Sequence, residues 1–392
     1  MDKKLTIMAI GGAGCHIMAK LNALPESSGL KLIAVDTDRQ ALADSTLPIE
    51  NTVLAAESWR GGKGCGGKVL DGQSAISNAR SGIVELLQDC SMLVIIGGLG
   101  GGTASGGIPI ILREAGKLHI PTFCVLSLPF SMESTRKTMA AEKALDENIF
   151  PAADAVVTLP NDLLFSMLPA ETPFAESFAL ADAELARTIL ALTGLLTSGN
   201  LFNSNFSDLC SILNGRKNRC AIGVGVVKEN IPNRMDAAMV ELLHSPLLGG
   251  ADFLNEADAV IFTVLGGPEL SIDEAKAAIE TGKKFIADDA RMITGAATSP
   301  VWQGMLQLSV LAIKFDEREK ARSLLENPSD DDDVELENDT TGKQLELDFV
   351  NMEKGIMEGT CQVNFNGEDL DIPTFKRKNA FFPSAKTTTK EY

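Results

Sequence analysis

Residues 97–107 read Gly-Gly-Leu-Gly-Gly-Gly-Thr-Ala-Ser-Gly-Gly and follow directly on the apolar run Ser-Met-Leu-Val-Ile-Ile at 91–96. Residues without side chains let an anion approach the main chain, and the free N–H groups at a helix start carry the positive end of the helix dipole. The chemistry this stretch offers is phosphate binding by backbone. No Gly-Lys-Ser/Thr closes it, so it is not a Walker A loop. Gly62-Lys-Gly-Cys-Gly-Gly-Lys-Val69 comes nearer to that motif in letters. There Val69 stands where a magnesium-holding hydroxyl would be, and no strand is expected before it.

Such a stretch needs a strand to deliver it and a helix to follow. Residues 91–96 supply a buried strand, and 108–115 read as the first turns of the helix. Upstream, 5–10 is a first strand, 11–14 a glycine turn, 17–24 a helix and 30–35 a second strand ending at Asp36-Thr-Asp38. A glycine turn with an acid about 20 residues on is the outline of a dinucleotide-binding unit. Ile17 occupies the third glycine position, which weakens a nicotinamide reading. Residues 59–72 read as a glycine-rich loop and 75–87 as a helix; 122–126 and 155–159 are further strands. Strands alternating with helices predict an α/β fold with a mostly parallel, Rossmann-like sheet, and a ligand at the carboxyl ends of its strands. Residues 176–198 form a long apolar helix, and 220–313 alternate strands and helices as a second, smaller α+β domain.

With 392 residues and 45% hydrophobic content the chain holds two ordinary domains and an appendage. Its formal charge is −18, of which −13 falls between Glu326 and Asp371, leaving −5 for the rest. The body lacks the basic footprint of a nucleic-acid binder. Seven cysteines without a C-x-x-C pair suit reduced thiols in a cytosol, and three histidines give little for metal chemistry. The apolar run at 5–10 is too short for a signal peptide, and no run approaches a membrane span. The expected location is cytoplasmic.

Gly100-Gly101-Gly102-Thr103-Ala104-Ser105-Gly106 resembles the signature G-G-G-T-G-T-G of the tubulin/FtsZ family at five of seven positions. Asp36-Thr-Asp-Arg-Gln-Ala-Leu42 is similar to the family's N-T-D-x-Q-A-L, Pro129-Phe-Ser-Met-Glu133 to P-F-x-x-E, Leu159-Pro-Asn161-Asp162 to I-P-N-D, and Ser245-Pro-Leu-Leu248 to S-P-L-L. The resemblance runs from about 5 to 316 and implies a GTPase of the bacterial cell-division branch, binding GTP or GDP with Mg2+ held through the phosphates. It implies a GTP-binding domain at 1–175, a central linking helix at 176–199, an activation domain at 200–316, a disordered acidic linker at 317–370 and a partner-binding peptide and tail at 371–392.

By the same resemblance Gly12, Ala13, Gly14 and Cys15 form the first nucleotide loop. His16 takes the place of an Asn that contacts guanine, Glu133 binds ribose, and Lys137 stands for an arginine near the nucleotide. Asn161 also belongs to the site. Phe178 and Asp182 lie four apart on one helix face; the ring would stack on the purine, and the carboxylate would accept from guanine N1 and N2, a donor pair that adenine lacks. Asn203, Asn205 and Asp208 fall on the family's N-x-D-F-x-D loop, which enters the neighbouring subunit's nucleotide site. The implied partners are further copies of the chain, head to tail, and membrane-tethering division proteins bound through Asp371 to Lys378 at the division site, on the inner face of the membrane. His16, Ala104, Ser105, Lys137 and Asn205 depart from the pattern and leave open a filament protein with weak or no hydrolysis. Asn205 can orient water but cannot take its proton. Asn205→Asp should therefore raise phosphate release per subunit, and an unchanged turnover number would refute that role.

Overall fold

The parallel strands of this chain are apolar at nearly every position because helices cover both faces of their sheet. The computed structural model describes residues 4–56, 61–166, 171–197, 218–228, 233–248, 251–298 and 302–315, with the pairs 364–365 and 368–369. Ten strands hydrogen-bond in the order β3-β2-β1-β4-β5-β6-β7-β10-β8-β9. They are β1 (Lys4–Ile10), β2 (Lys31–Asp36), β3 (Thr52–Leu54), β4 (Cys90–Gly98), β5 (Thr122–Leu128), β6 (Ala155–Pro160), β7 (Asn218–Lys228), β8 (Ala259–Gly266), β9 (Arg291–Thr298) and β10 (Met305–Lys314). Neighbours from β3 through β7 are parallel; β10 runs antiparallel to both β7 and β8, and β8 pairs with β9 in parallel. Residues Met1–Ser329 form one compact unit. In the remaining unit, Asn364–Phe365 pairs antiparallel with Glu368–Asp369.

Alternate residues of each strand feed opposite cores. Leu5, Ile7 and Ala9 of β1 with Met92, Val94 and Ile96 of β4 pack under α1 (Gly11–Asn22). The intervening Met8, Ile10, Leu93 and Ile95 face the other way. A third cluster lies wholly within residues 221–312 and is the core of the smaller region. The chain leaves β1 toward β2 and β3 on one side and returns to β4 on the other, so the crevice between the carboxyl ends of β1 and β4 is a topological switch point.

Three helix starts differ from the sequence reading. α1 begins at Gly11, without the expected turn at 11–14; α2 (Arg39–Asp44) follows β2, with Asp38 as its N-cap. The helix expected at 75–87 is two: α3 (Val69–Asn78) and α4 (Arg80–Leu86), broken at Ala79, where ψ is 1°. The short β3 precedes them, a strand the sequence reading did not expect. The helix after β4, α5 (Gly102–Lys117), takes in half of the glycine run and carries Pro109 in its interior.

The reason is a backbone contact. A Cβ on Gly72 of α3 would overlap the Gly102 carbonyl oxygen, one on Gly106 would overlap the Val69 carbonyl oxygen, and one on Gly107 would sit 2.6 Å from Ile76 Cγ1. Glycine is poor in helices by propensity, but here its missing side chain is what lets α3 and α5 touch main chain to main chain. Gly72→Ala and Gly106→Ala should each lose about 1–3 kcal/mol of stability through overpacking. Gly82→Ala, exposed on α4 with nothing within 4 Å of its Cβ position, should gain up to about 1 kcal/mol. Urea unfolding of the three variants checks this, and equal losses at Gly82 and Gly106 would contradict it.

Candidate functional site

Four strand ends open on one cleft of about 260 Å³. β1 delivers Gly11, Gly12 and Ala13; β4 delivers Gly98, Leu99 and the α5 start from Gly101 to Ala104. β5 adds Ser127, Pro129, Glu133 and Lys137, and β6 adds Asn161. The N-termini of α1 and α5 therefore converge, and a Cβ on Gly11 would stand 3.4 Å from Ala104 Cβ. Cβ positions on Gly12 and Gly101 meet nothing within 4 Å. The cleft is lined by main chain with room for an anion against it, at two positive dipole ends.

Not every glycine of the two loops reaches this space. Gly14 is buried where a Cβ would lie 2.8 Å from the Ile96 carbonyl oxygen, and Cys15 is in the core beneath α1. Burial, with Asp36 and Asp44 adding to it, pushes the Cys15 thiol up out of its ordinary range. Gly100 has φ +94° and packs on Pro129, and its N–H donates to Ser105 Oγ at 2.9 Å. Gly106 belongs to the seam with α3. These four, with Ser105, shape the cleft from behind.

Across the cleft, α6 (Thr135–Ala144) carries Lys137, whose Nζ donates to Glu133 Oε2 at 2.6 Å; the Phe130 N–H donates to Glu133 Oε1 at 3.1 Å. Burial alone would raise the Glu133 carboxyl, but the Lys137 ammonium and the Phe130 amide outweigh it and hold the group below the usual carboxylate range. The Ser131 N–H donates to Asp162 Oδ2 at 2.8 Å, tying this connection to α7 (Asn161–Ser166) and so to Asn161.

His16, Phe178 and Asp182 flank the cleft on α1 and α8 (Phe174–Thr197) without lining it. The half-exposed Phe178 ring meets the buried Phe130 ring edge to face, centroids 5.9 Å apart at 82°. Burial pushes the Asp182 carboxyl up to about 6, with His16 and Lys20 of α1 pulling against it. His16 Nε2 lies 3.9 Å from Asp44 Oδ2. Asn203, Asn205, Asp208 and the Asp371 to Lys378 segment lie outside the described residues.

One group was missed by the sequence reading as a site residue. Asp36, at the carboxyl end of β2, is 3% exposed. Its Oδ1 accepts from the Asp38 N–H at 3.3 Å and from Thr103 Oγ1 at 3.1 Å, while Thr103 Oγ1 lies 2.8 Å from Thr37 Oγ1 and 3.4 Å from Cys65 Sγ. A hydroxyl has one proton. Given to Asp36, it leaves Thr37 as donor in the second bond and turns the Thr103 hydroxyl away from the cleft. Burial raises the Asp36 carboxyl despite the Thr37 and Asp38 amides and the Thr103 hydroxyl, with the Asp38 charge adding to the rise. The signal for it was an acid closing an apolar strand run.

Asp182 is costly for the fold. Its folded value near 6 exceeds the ordinary 3.8, so the native state binds the extra proton between these values and stability falls as pH rises through that window. Asp182→Asn should remove roughly 1–3 kcal/mol of that fall, seen as a flatter difference between urea unfolding at pH 4 and pH 7. Parallel pH profiles for variant and wild type would disprove the burial cost. A carboxylate kept at such expense beside an exposed aromatic ring suits ligand recognition.

The description "Tubulin/FtsZ family, GTPase domain" matches residues 4–169, and "FtsZ family, C-terminal domain" matches 219–316. Among curated proteins, "Cell division protein FtsZ" of Methanothermobacter thermautotrophicus is 31% identical over 308 residues, covering 79% of this chain and 78% of the relative. "Cell division protein FtsZ 2" of Rhizobium meliloti is 29% identical over 322 residues, 82% of this chain and 91% of the relative. The empty FtsZ dimer of M. jannaschii superposes with a TM-score of 0.70 at 28% identity, over 80% of this chain and 88% of that one. CetZ2 from Haloferax volcanii shares the fold, with a TM-score of 0.64 at 21% identity over 82% and 98% of the two chains.

Proposed function

Because this chain belongs to the tubulin/FtsZ family and is a GTPase of that family, we propose that it hydrolyses GTP at contacts between copies stacked head to tail, as the scaffold of a bacterial division ring. The observation that carries the nucleotide part is the switch-point cleft, where two helix N-termini converge and the backbone at Gly12 and Gly101 is open to a ligand. The phosphates rest on the main-chain N–H groups of Gly11 to Ala13 and Gly101 to Ala104. Glu133, held ionised beside Lys137, accepts from ribose hydroxyls. Phe178 offers its ring to the purine, and Asp182 accepts from guanine N1 and N2. His16 stands beside Asp182 at the base edge. Losing its proton as it takes up the base, Asp182 ties guanine affinity to pH near 6.

Mg2+ held through the nucleotide phosphates would supply charge neutralisation at the transferring group. Among the described residues no group of three or more His, Cys, Asp or Glu could hold a metal ion. Asp208 of the next copy accepts from the attacking water, and Asn203 and Asn205 orient it. A site completed by a second copy through different surfaces on each partner propagates a filament that does not close. Asp371 to Lys378, with apolar anchors and three positive charges, docks on a membrane-tethering division protein and brings the filament to the inner face of the membrane. Among the described residues no helix is long and apolar enough to cross a membrane.

A second reading rests on the hydroxyls of the signature loop. Thr103 donates to Asp36 and Ser105 accepts from the Gly100 amide, so both hydroxyls are engaged within the protein, and with Asn205 in place of an acid the assembly would turn over slowly. Phosphate release with GTP and Mg2+, measured across protein concentrations with light scattering alongside, separates the readings. We expect activity per subunit to rise above a threshold together with scattering. Activity independent of concentration refutes the shared site, and scattering without phosphate release supports the slow filament.

A further inference from the structure

The buried carboxylate of Asp36 has no part in the scheme above, yet it is bonded to a residue that lines the phosphate cradle. Thr103 is the second residue of α5, and its hydroxyl donates to Asp36 Oδ1 at 3.1 Å. The carboxylate sits behind the α5 N-terminus, where negative charge is favoured by the helix dipole. A phosphate in the cleft approaches the same dipole end from the other side.

We propose that Asp36 sets the discrimination between triphosphate and diphosphate: its buried negative charge, fixed to the first turn of α5 through Thr103, weighs against the additional negative charge of GTP. The inference rests on the guanine-nucleotide reading and deepens it. Asp36 acts through Thr103 and the dipole, as a positioning residue, and it lowers the advantage of the triphosphate over the diphosphate.

The surroundings make this charge adjustable. Burial favours the protonated form, and the amides of Thr37 and Asp38 with the Thr103 hydroxyl favour the ionised one. The titratable and charged groups facing it come from three sides. Asp38 is on the same connection, where Arg39 opens α2. Cys15 is on α1, itself under the influence of Asp44. Cys65 and Lys63 are on the 61–68 segment, Lys63 being bridged through its backbone to Asp38. Cys15 is pushed up by burial and stays a neutral thiol throughout the neutral range. Protonation of Asp36 as pH falls should therefore lift the penalty on the triphosphate.

The test uses the full chain, dilute enough to remain unassembled, with GDP and the slowly hydrolysed α,β-methylene analogue of GTP as probes. Dissociation constants are measured for wild type and Asp36→Asn from pH 4.5 to pH 8.5. The amide keeps an acceptor for Thr103 and loses the charge. At the upper end of the range the variant should favour the triphosphate about fivefold more than wild type does, roughly what two unit charges about 4 Å apart exchange at the dielectric of water. The wild-type preference should approach the variant's as pH falls. The influence of Asp182 on the base is common to both nucleotides and cancels in the ratio. Equal changes for both nucleotides, or parallel pH profiles of the ratio, would reduce Asp36 to a structural clamp and overturn the proposal. Should the variant not fold, the wild-type profile decides alone: a triphosphate preference that does not rise toward low pH overturns it. Binding of neither nucleotide by wild type would bring down the guanine reading itself, an outcome distinct from a flat ratio.

Discussion

The close approach of α3 to α5 is the constraint on which the cleft depends. Packed helices ordinarily stand 8–10 Å apart, separated by their side chains. Here Gly72, Gly102, Gly106 and Gly107 remove those side chains and bring the backbones together. The contact also fixes the segment at 61–68, which leads into α3. Cys65 Sγ lies against the start of α5, Lys68 caps α3, and Arg136 Nη2 donates to the Gly67 carbonyl at 3.3 Å. Three segments from different parts of the chain thus meet around the first turn of α5, and the amides that line the cleft are held by packing from outside it.

A consequence is that the side chains of the signature loop are spent on structure. Thr103 reaches inward to Asp36 and Ser105 back to Gly100, while Gly106 and Gly107 face α3. On the proposed reading, recognition is left to main-chain N–H groups, which every residue but proline carries. Ala104 and Ser105 can then differ from the family signature without removing a donor from the cleft. Ser105 holds the Gly100 turn with its hydroxyl, and a small residue at 104 suits the 3.4 Å approach that a Cβ on Gly11 would make to it.

The strands were legible almost to the residue, because a sheet covered on both faces demands unbroken apolar runs: 5–10, 91–96 and 155–159 fall inside β1, β4 and β6. The mostly parallel sheet, with a cleft at the carboxyl ends of its strands, followed from the alternation. Helix starts were not legible. Glycine argues against helix by propensity, and nothing in a periodic pattern reveals that another backbone will occupy the vacant space; hence 11–14 and 97–107 read as loops. Glu133, Lys137 and Asn161 were brought to the cleft as the resemblance implied, and His16, Phe178 and Asp182 to its flank. Asp36 was read only as the acid that completes a dinucleotide-binding outline. Its burial comes from α5, 67 residues further on, and no local window contains that contact.

The position of β1 between β2 and β4 also has a meaning in time. One edge of β1 is satisfied within the first 36 residues, and the other waits until residue 90 has been made. During synthesis the chain therefore carries an open, mostly apolar strand edge for more than fifty residues, the kind of edge that recruits strands from other chains. The helices that cover its far face, α3 and α5, arrive on either side of the missing strand. Nascent chains of this protein should be most vulnerable just before β4 emerges from the ribosome, and the glycine-rich start of α5, arriving immediately behind it, completes the ligand crevice almost as soon as the sheet centre closes.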